Sequence, residues 1–124
     1  MASKRILLAD DDSELRNLLK FYLAKQGYEV TVCVDGAEAL SAIERGGAFD
    51  LLLSDVMMPG MDGYHLAQAV NEKLGAACPK ILLMTSRDID REKGLAVVSG
   101  SDATIQKPFK LADLRARISM LLGG

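Results

Sequence analysis

The sequence predicts an α/β protein: a doubly wound, five-stranded parallel sheet with helices on both faces. Three observations carry this expectation. Short apolar runs alternate along the chain with stretches whose apolar residues repeat at helical spacing. The runs are near-continuously apolar, as strands buried on both faces must be. Parallel neighbours also need a crossover, and right-handed crossovers place helices on both sides of a sheet.

Ile6-Leu7-Leu8-Ala9 reads as a buried strand ending at the acidic cluster Asp10-Asp11-Asp12. Leu15, Leu18, Leu19, Tyr22 and Leu23 then recur at the spacing of one helical face, with Gly27 as the stop. Tyr28, Val30, Val32 and Val34 alternate as a strand does. Asp35 and Glu38 have the spacing of a capping box opening a helix around Ala37, Leu40 and Ile43, which Gly46-Gly47 ends. Leu51-Leu52-Leu53-Ser54 is a third strand ending at Asp55, and Met58-Pro59-Gly60 must turn, because proline and glycine interrupt regular structure. Asp62 caps a third helix with Leu66, Ala67, Val70 and Leu74 inward. Ile81–Met84 is a fourth strand ending at Thr85, followed by a poorly patterned helix near residues 89–98 that contains Gly94. Ala103–Gln106 is a short fifth strand before Lys107-Pro108, and Leu111, Leu114, Ile118 and Leu121 mark the last helix.

Composition agrees with a soluble globular chain. The 124 residues, 49% hydrophobic and 26% charged, suit one compact domain over 1–124. Apolar runs are too short to span a bilayer, and Met-Ala-Ser-Lys-Arg precedes no signal-peptide core, so the cytoplasm is expected and membrane insertion is not. Cys33 and Cys78 lack metal-ligand spacing and read as reduced thiols. Net charge is −2, but residues 1–62 carry 11 acids against 6 bases and residues 63–124 carry 6 against 9. An acidic site in the first half with a basic contribution from the second is therefore expected. No basic stripe interleaved with aromatics argues for direct nucleic-acid binding.

Ligands of open α/β sheets bind beyond the carboxyl ends of the strands. The residues predicted there are Asp10, Asp11 and Asp12, then Asp55, Thr85 with Ser86, and Lys107. Gathered carboxylates repel one another unless a cation sits among them. Magnesium suits the inventory, because it prefers oxygen ligands and takes one or two carboxylates plus phosphate oxygens; manganese is expected to substitute. The ion would shield Asp55 from an incoming phosphoryl donor, and Lys107, Thr85 and backbone N–H groups could stabilise the transferring group. Taken singly each residue has a duller reading. Asp12 is a helix cap, Asp55 a turn residue, Thr85 a strand end and Lys107 an exposed turn. Their joint placement on one rim argues for function.

These residues resemble the receiver domains of two-component response regulators, including single-domain chemotaxis-type regulators, over essentially the whole chain. Leu7-Leu8-Ala9-Asp10-Asp11 is similar to the family's first strand and acidic pair. Asp55-Val56-Met57-Met58-Pro59-Gly60-Met61-Asp62-Gly63 resembles its phosphoacceptor segment, Leu83-Met84-Thr85-Ser86-Arg87-Asp88 its switch-threonine segment, and Lys107-Pro108-Phe109 its lysine motif with a usually cis Lys–Pro bond. The resemblance implies a flavodoxin-like strand order 2-1-3-4-5 and phosphorylation of Asp55 by a sensor histidine kinase or histidine phosphotransfer protein. It implies metal ligation by Asp11, by Asp10 through water, by Asp55 and by the Met57 carbonyl. Thr85 and Lys107 become the catalytic and switching pair. The domain would catalyse its own phosphorylation and dephosphorylation without turning over a separate substrate, and would signal to a protein target not specified by the sequence.

The chain departs from the family pattern in two places. Thr104 stands where an aromatic often reports switching, and Lys110 where Asp or Ser often caps the last helix. By the same resemblance, Met57 and Arg87 occupy positions that tune hydrolysis. Apolar Met57 would order attacking water poorly and Arg87 could reach the phosphoryl oxygens, prolonging the aspartyl phosphate. The switching surface would be the face of helix four, strand five and helix five, which includes Thr104. His65 and the tyrosines at 22, 28 and 64 read as packing or surface residues.

Other functions fit less well. A phosphatase of the haloacid dehalogenase type needs a second acid two residues after its nucleophile, where Met57 stands. A flavodoxin-like electron carrier needs a Ser/Thr/Gly-rich loop after strand one. A phosphorylation-independent binding module with the same fold is the remaining alternative. No effector segment follows the last helix, leaving open a domain acting through protein contacts or a piece of a longer regulator.

Overall fold

The computed structural model describes residues 3–123; Met1, Ala2 and Gly124, part of the domain expected over 1–124, lie outside them. Five strands, β1 (Arg5–Ala9), β2 (Glu29–Cys33), β3 (Leu51–Asp55), β4 (Lys80–Thr85) and β5 (Ala103–Gln106), alternate with α1 (Ser13–Lys25), α2 (Gly36–Glu44), α3 (Gly63–Leu74), α4 (Ile89–Ser99) and α5 (Leu111–Leu122). All strand pairs are parallel, in the order β2-β1-β3-β4-β5. The doubly wound sheet and strand order expected from the sequence are what forms.

Period-two alternation divides the core between the two faces of the sheet. Leu7, Ala9, Leu52, Ile81 and Leu83 pack with Ala39 and Ile43 of α2 and Leu66, Ala67 and Val70 of α3. Ile6, Leu8, Leu51, Leu53, Leu82 and Met84 pack with Leu19 and Leu23 of α1 and Leu114 and Ile118 of α5. Both faces of β1, β3 and β4 are therefore dry, as their unbroken apolar runs require.

The helix starts obey local chemistry. Asp12 accepts the Glu14 and Leu15 N–H groups, Asp35 accepts Glu38 N–H and Asp62 accepts His65 N–H. Asp88 caps α4 in the same way, whereas Lys110 begins α5 without a side-chain cap bond. Gly63 carries a particular constraint: a Cβ there would stand 2.5 Å from the Asp55 carbonyl oxygen and 2.9 Å from the Val56 Cα. Only glycine lets α3 start this close to the end of β3. Gly63→Ala is expected to cost about 1–3 kcal/mol through this overpacking, read as a lowered urea midpoint.

Three expectations need correction. Leu18 is exposed because it lies roughly 120° around α1 from the centre of the Leu19–Leu23 stripe, at 100° per residue. Val34 is exposed because β2 ends at Cys33, and it is Cys33 that is buried. Ala37 is exposed, α2 turning Gly36, Ala39, Ala42 and Ile43 inward instead. A short 3₁₀ turn at Gly75–Ala77 was not expected.

Both cysteines are free thiols. Burial, reinforced by the Glu38 charge, pushes the Cys33 thiol up to about 11, so it is an inert packing group. Among the described residues no helix is long and apolar enough to cross a membrane.

α4 is held differently from the other helices. Ser99 is its one buried residue, and Leu95, Val97 and Val98 face outward, the last two 71% and 76% exposed. Polar ties to α3 replace much of the missing apolar packing. Asn71 Nδ2 donates to the Ser99 and Gly100 carbonyls at 3.2 and 3.1 Å, and the Tyr64 hydroxyl donates to Glu92 Oε1 at 3.3 Å.

Candidate functional site

The carboxyl ends of β1, β3, β4 and β5 bring together the residues the sequence placed on one rim. Asp10 and Asp55 are buried and Asp11 is exposed; one carboxylate oxygen from each lies within 4.8 Å of the others. Lys107 extends its ammonium between them, 3.2 Å from Asp55 Oδ1 and 3.4 Å from Asp10 Oδ2. The contact with Asp10 joins residues 97 positions apart in the chain.

Backbone geometry fixes each contributor. The Asp10 carboxylate accepts Asp12 N–H at 2.9 Å, and the Asp10 carbonyl accepts Arg16 Nη1 at 2.8 Å, so the acidic loop is tied to α1. The Ser54 hydroxyl donates to the Asp55 carbonyl at 2.9 Å, and Val56 N–H donates to the Met84 carbonyl at 2.8 Å. Lys107 N–H donates to the Thr85 carbonyl at 2.7 Å, and the Lys107–Pro108 bond is cis. Thr85 is fully buried, and its hydroxyl accepts Arg87 N–H at 3.0 Å.

The electrostatics leave a charge imbalance. Burial raises the Asp55 carboxyl above its ordinary value; Lys107 opposes this, and the Asp10 and Asp11 charges add to it. Three carboxylates thus share one ammonium in a partly desolvated site. The donor set is all oxygen, which a hard divalent ion fits and a soft one does not.

The remaining candidates make no polar side-chain contact with this cluster among the described residues. Met57 is 48% exposed beside the acceptor segment. Thr104 is half-buried on β5, its carbonyl accepting Arg117 Nη1. Arg87 pairs through Nη1 with Glu92 Oε1 at 3.2 Å. The His65 ring lies against Asp62 with its side chain 75% exposed, a surface position as expected.

Sequence reasoning missed Arg16, Glu92 and the polar role of Tyr64. Only the Asp62-Gly63 pair opening a helix offered a signal for Gly63; nothing linear linked Tyr64 to residue 92. An apolar hollow of about 330 Å³ lined by Leu15, Ser86, Pro108 and Phe109 adjoins Lys107. A second groove, of about 650 Å³, runs between α4, β5 and α5, and Ile89, Gln106, Phe109 and Met120 help to line it.

The sequence profile of the response regulator receiver domain matches residues 6–119. The transcriptional activator protein PfeR of Pseudomonas aeruginosa is 39% identical over 120 residues, which are 97% of this chain and 38% of PfeR. The chain spans between 38% and 50% of the length of such curated relatives. Among solved structures, the chemotaxis protein CheY4 of Vibrio cholerae superposes with a TM-score of 0.91 at 30% identity, covering 98% of this chain and 100% of that one. The response regulator protein TrrA of Thermotoga maritima, solved in complex with Mg(2+)-BeF, superposes with a TM-score of 0.84 at 33% identity, covering 96% and 99%.

Proposed function

The chain belongs to the response regulator receiver domain family of two-component signalling, and from that premise we propose that it accepts a phosphoryl group on Asp55 in a magnesium-dependent reaction. Receiver domains are signalling switches rather than enzymes with a separate substrate. The observation that carries the proposal is the Lys107 ammonium 3.2 Å from a buried Asp55 carboxylate, in a cluster with Asp10 and Asp11.

In the proposed reaction an Asp55 carboxylate oxygen bonds to the phosphorus of a phosphohistidine or small acyl phosphate, and the donor's bond to phosphorus breaks with its electron pair. Lys107 balances the charge gathering on the phosphoryl oxygens, and Thr85 donates its hydroxyl to one of them. Asp11, Asp10 through water, Asp55 and the Met57 carbonyl are the groups that would hold magnesium, or manganese in its place. The metal when bound supplies the positive charge that lets two anions meet. The Mg(2+)-BeF complex of TrrA supports this assignment.

We place the domain in the cytoplasm, downstream of a sensor histidine kinase or histidine phosphotransfer protein. The hollow by Lys107 is open to such a donor. Output then runs through protein contacts on the α4–β5–α5 face, where the groove between these elements lies and where Val97 and Thr104 line a smaller hollow. Phosphorylation biases the Thr85 loop between two arrangements, with Thr104, which pairs with Leu83 two residues before Thr85, in place of an aromatic ring.

Incubation with acetyl phosphate, read by intact mass, tests the reading. One phosphoryl group should be gained with magnesium and none after chelation; gain without divalent ions, or none with them, rules it out. The half-exposed Met57 offers water no polar partner. Met57→Asn should therefore speed loss of the phosphoryl group by about tenfold, the worth of one good hydrogen bond in the transition state. An unchanged rate of label loss would remove Met57 from the tuning residues.

A further inference from the structure

Arg87 leaves β4 with its backbone bonded to the Thr85 hydroxyl, at the rim of the acidic site. Its guanidinium, however, is committed to Glu92, on the first turns of α4. Glu92 is in turn held by Tyr64, whose ring is buried in the core beneath α3 and whose hydroxyl reaches the same Oε1. Burial and the neighbouring Glu92 carboxylate push the Tyr64 phenol up to about 12, so it remains a donor across the physiological range. The Glu92 side chain is 13% exposed against 50% for Arg87. The carboxylate is therefore the fixed member of the pair and the guanidinium the mobile one.

We propose that Glu92, anchored by Tyr64, is a positioning residue that withholds Arg87 from the phosphorylated site and so shortens the life of the aspartyl phosphate. The inference rests on the assignment of Asp55 as phosphoacceptor. A phosphoryl group on Asp55 places a dianion within the same loop cluster and competes with Glu92 for one guanidinium. Where Arg87 moves to the phosphoryl oxygens it covers the approach of water. Where Glu92 keeps it, water reaches phosphorus, its oxygen bonds there, and the bond to the Asp55 oxygen breaks with its electron pair returning to the carboxylate. Inorganic phosphate leaves and the excess proton passes to solvent.

The test follows loss of label from the full chain after phosphorylation with acetyl phosphate and removal of the donor. Glu92→Gln keeps the shape and removes the charge, and should slow the loss by about two- to fivefold, the range of a partly exposed ion pair. The same substitution in an Arg87→Ala background should have no effect. Asn71→Ala loosens the other end of α4 without touching Arg87 and should leave the lifetime unchanged. The proposal is overturned if Glu92→Gln decays like wild type, if it acts equally without Arg87, or if Asn71→Ala slows decay as much. Failure of every variant and of wild type to take up label would instead strike the phosphoacceptor assignment on which it rests.

Discussion

Asp55→Asn is expected to take up no phosphoryl group from acetyl phosphate at any magnesium concentration, while the wild-type chain takes up one. An amide nitrogen or oxygen cannot replace the carboxylate as nucleophile, and neither Asp10 nor Asp11 stands at the end of β3 where the Lys107 ammonium meets Asp55. The same variant should be more stable than wild type at neutral pH without divalent ions. Burial, with the charges of Asp10 and Asp11, makes the folded Asp55 carboxyl hold its proton more tightly than in the unfolded chain. Wild-type stability therefore falls as pH rises from below the unfolded carboxyl pKa through the higher folded one, and stays lowered above it. Asparagine undergoes no such loss, so the gap opens across the acid range and is complete at neutrality. Urea titrations at a series of pH values measure it. Magnesium at ten times its dissociation constant should stabilise the wild type by about 1.4 kcal/mol and the variant by less. A wild type at least as stable as Asp55→Asn in metal-free buffer at neutral pH would mean that the Lys107 attraction outweighs burial and repulsion.

Lys107→Ala should slow the initial rate of phosphorylation by a factor on the order of 10²–10³, the usual consequence of removing one preorganised charge partner from a transition state. Among the described residues its ammonium is the one cation placed against both Asp55 and Asp10, and it is only 20% exposed. Lys107→Arg should not restore the rate fully, because a planar fork does not fit a gap shaped for a point charge. Initial rates at saturating magnesium, with folding verified by circular dichroism, provide the measurement. A Lys107→Ala protein phosphorylated at the wild-type rate would confine Lys107 to a structural ion pair.

Much of the architecture was legible because it is locally encoded. The runs Ile6–Ala9, Leu51–Leu53 and Ile81–Met84 are apolar on successive residues and too short for helices, as strands covered on both faces are. Asp12, Asp35 and Asp62 announce helix starts because each bonds N–H groups within the next three residues. Leu18, Val34 and Ala37 were misjudged because spacing reveals that an apolar stripe exists, whereas its centre and its end depend on what packs against it. α4 was hard to read for a related reason: its ties to α3 run through Asn71 and Tyr64, and hydrogen bonds leave no periodicity.

The alternation of elements, the residues at the strand ends and, through motifs shared with a known family, Asp55 as the position to watch can all be read from the linear chain. Those features depend on neighbours within a few residues, so composition and spacing carry them. Folding alone reveals that Lys107 lies against Asp55 and Asp10, that Gly63 must lack a side chain, and that Arg87 is bound by a carboxylate anchored to a buried tyrosine. The physical reason is that charge pairing and close approach depend on distance in space, and a parallel sheet brings residues from opposite ends of the chain to a single edge.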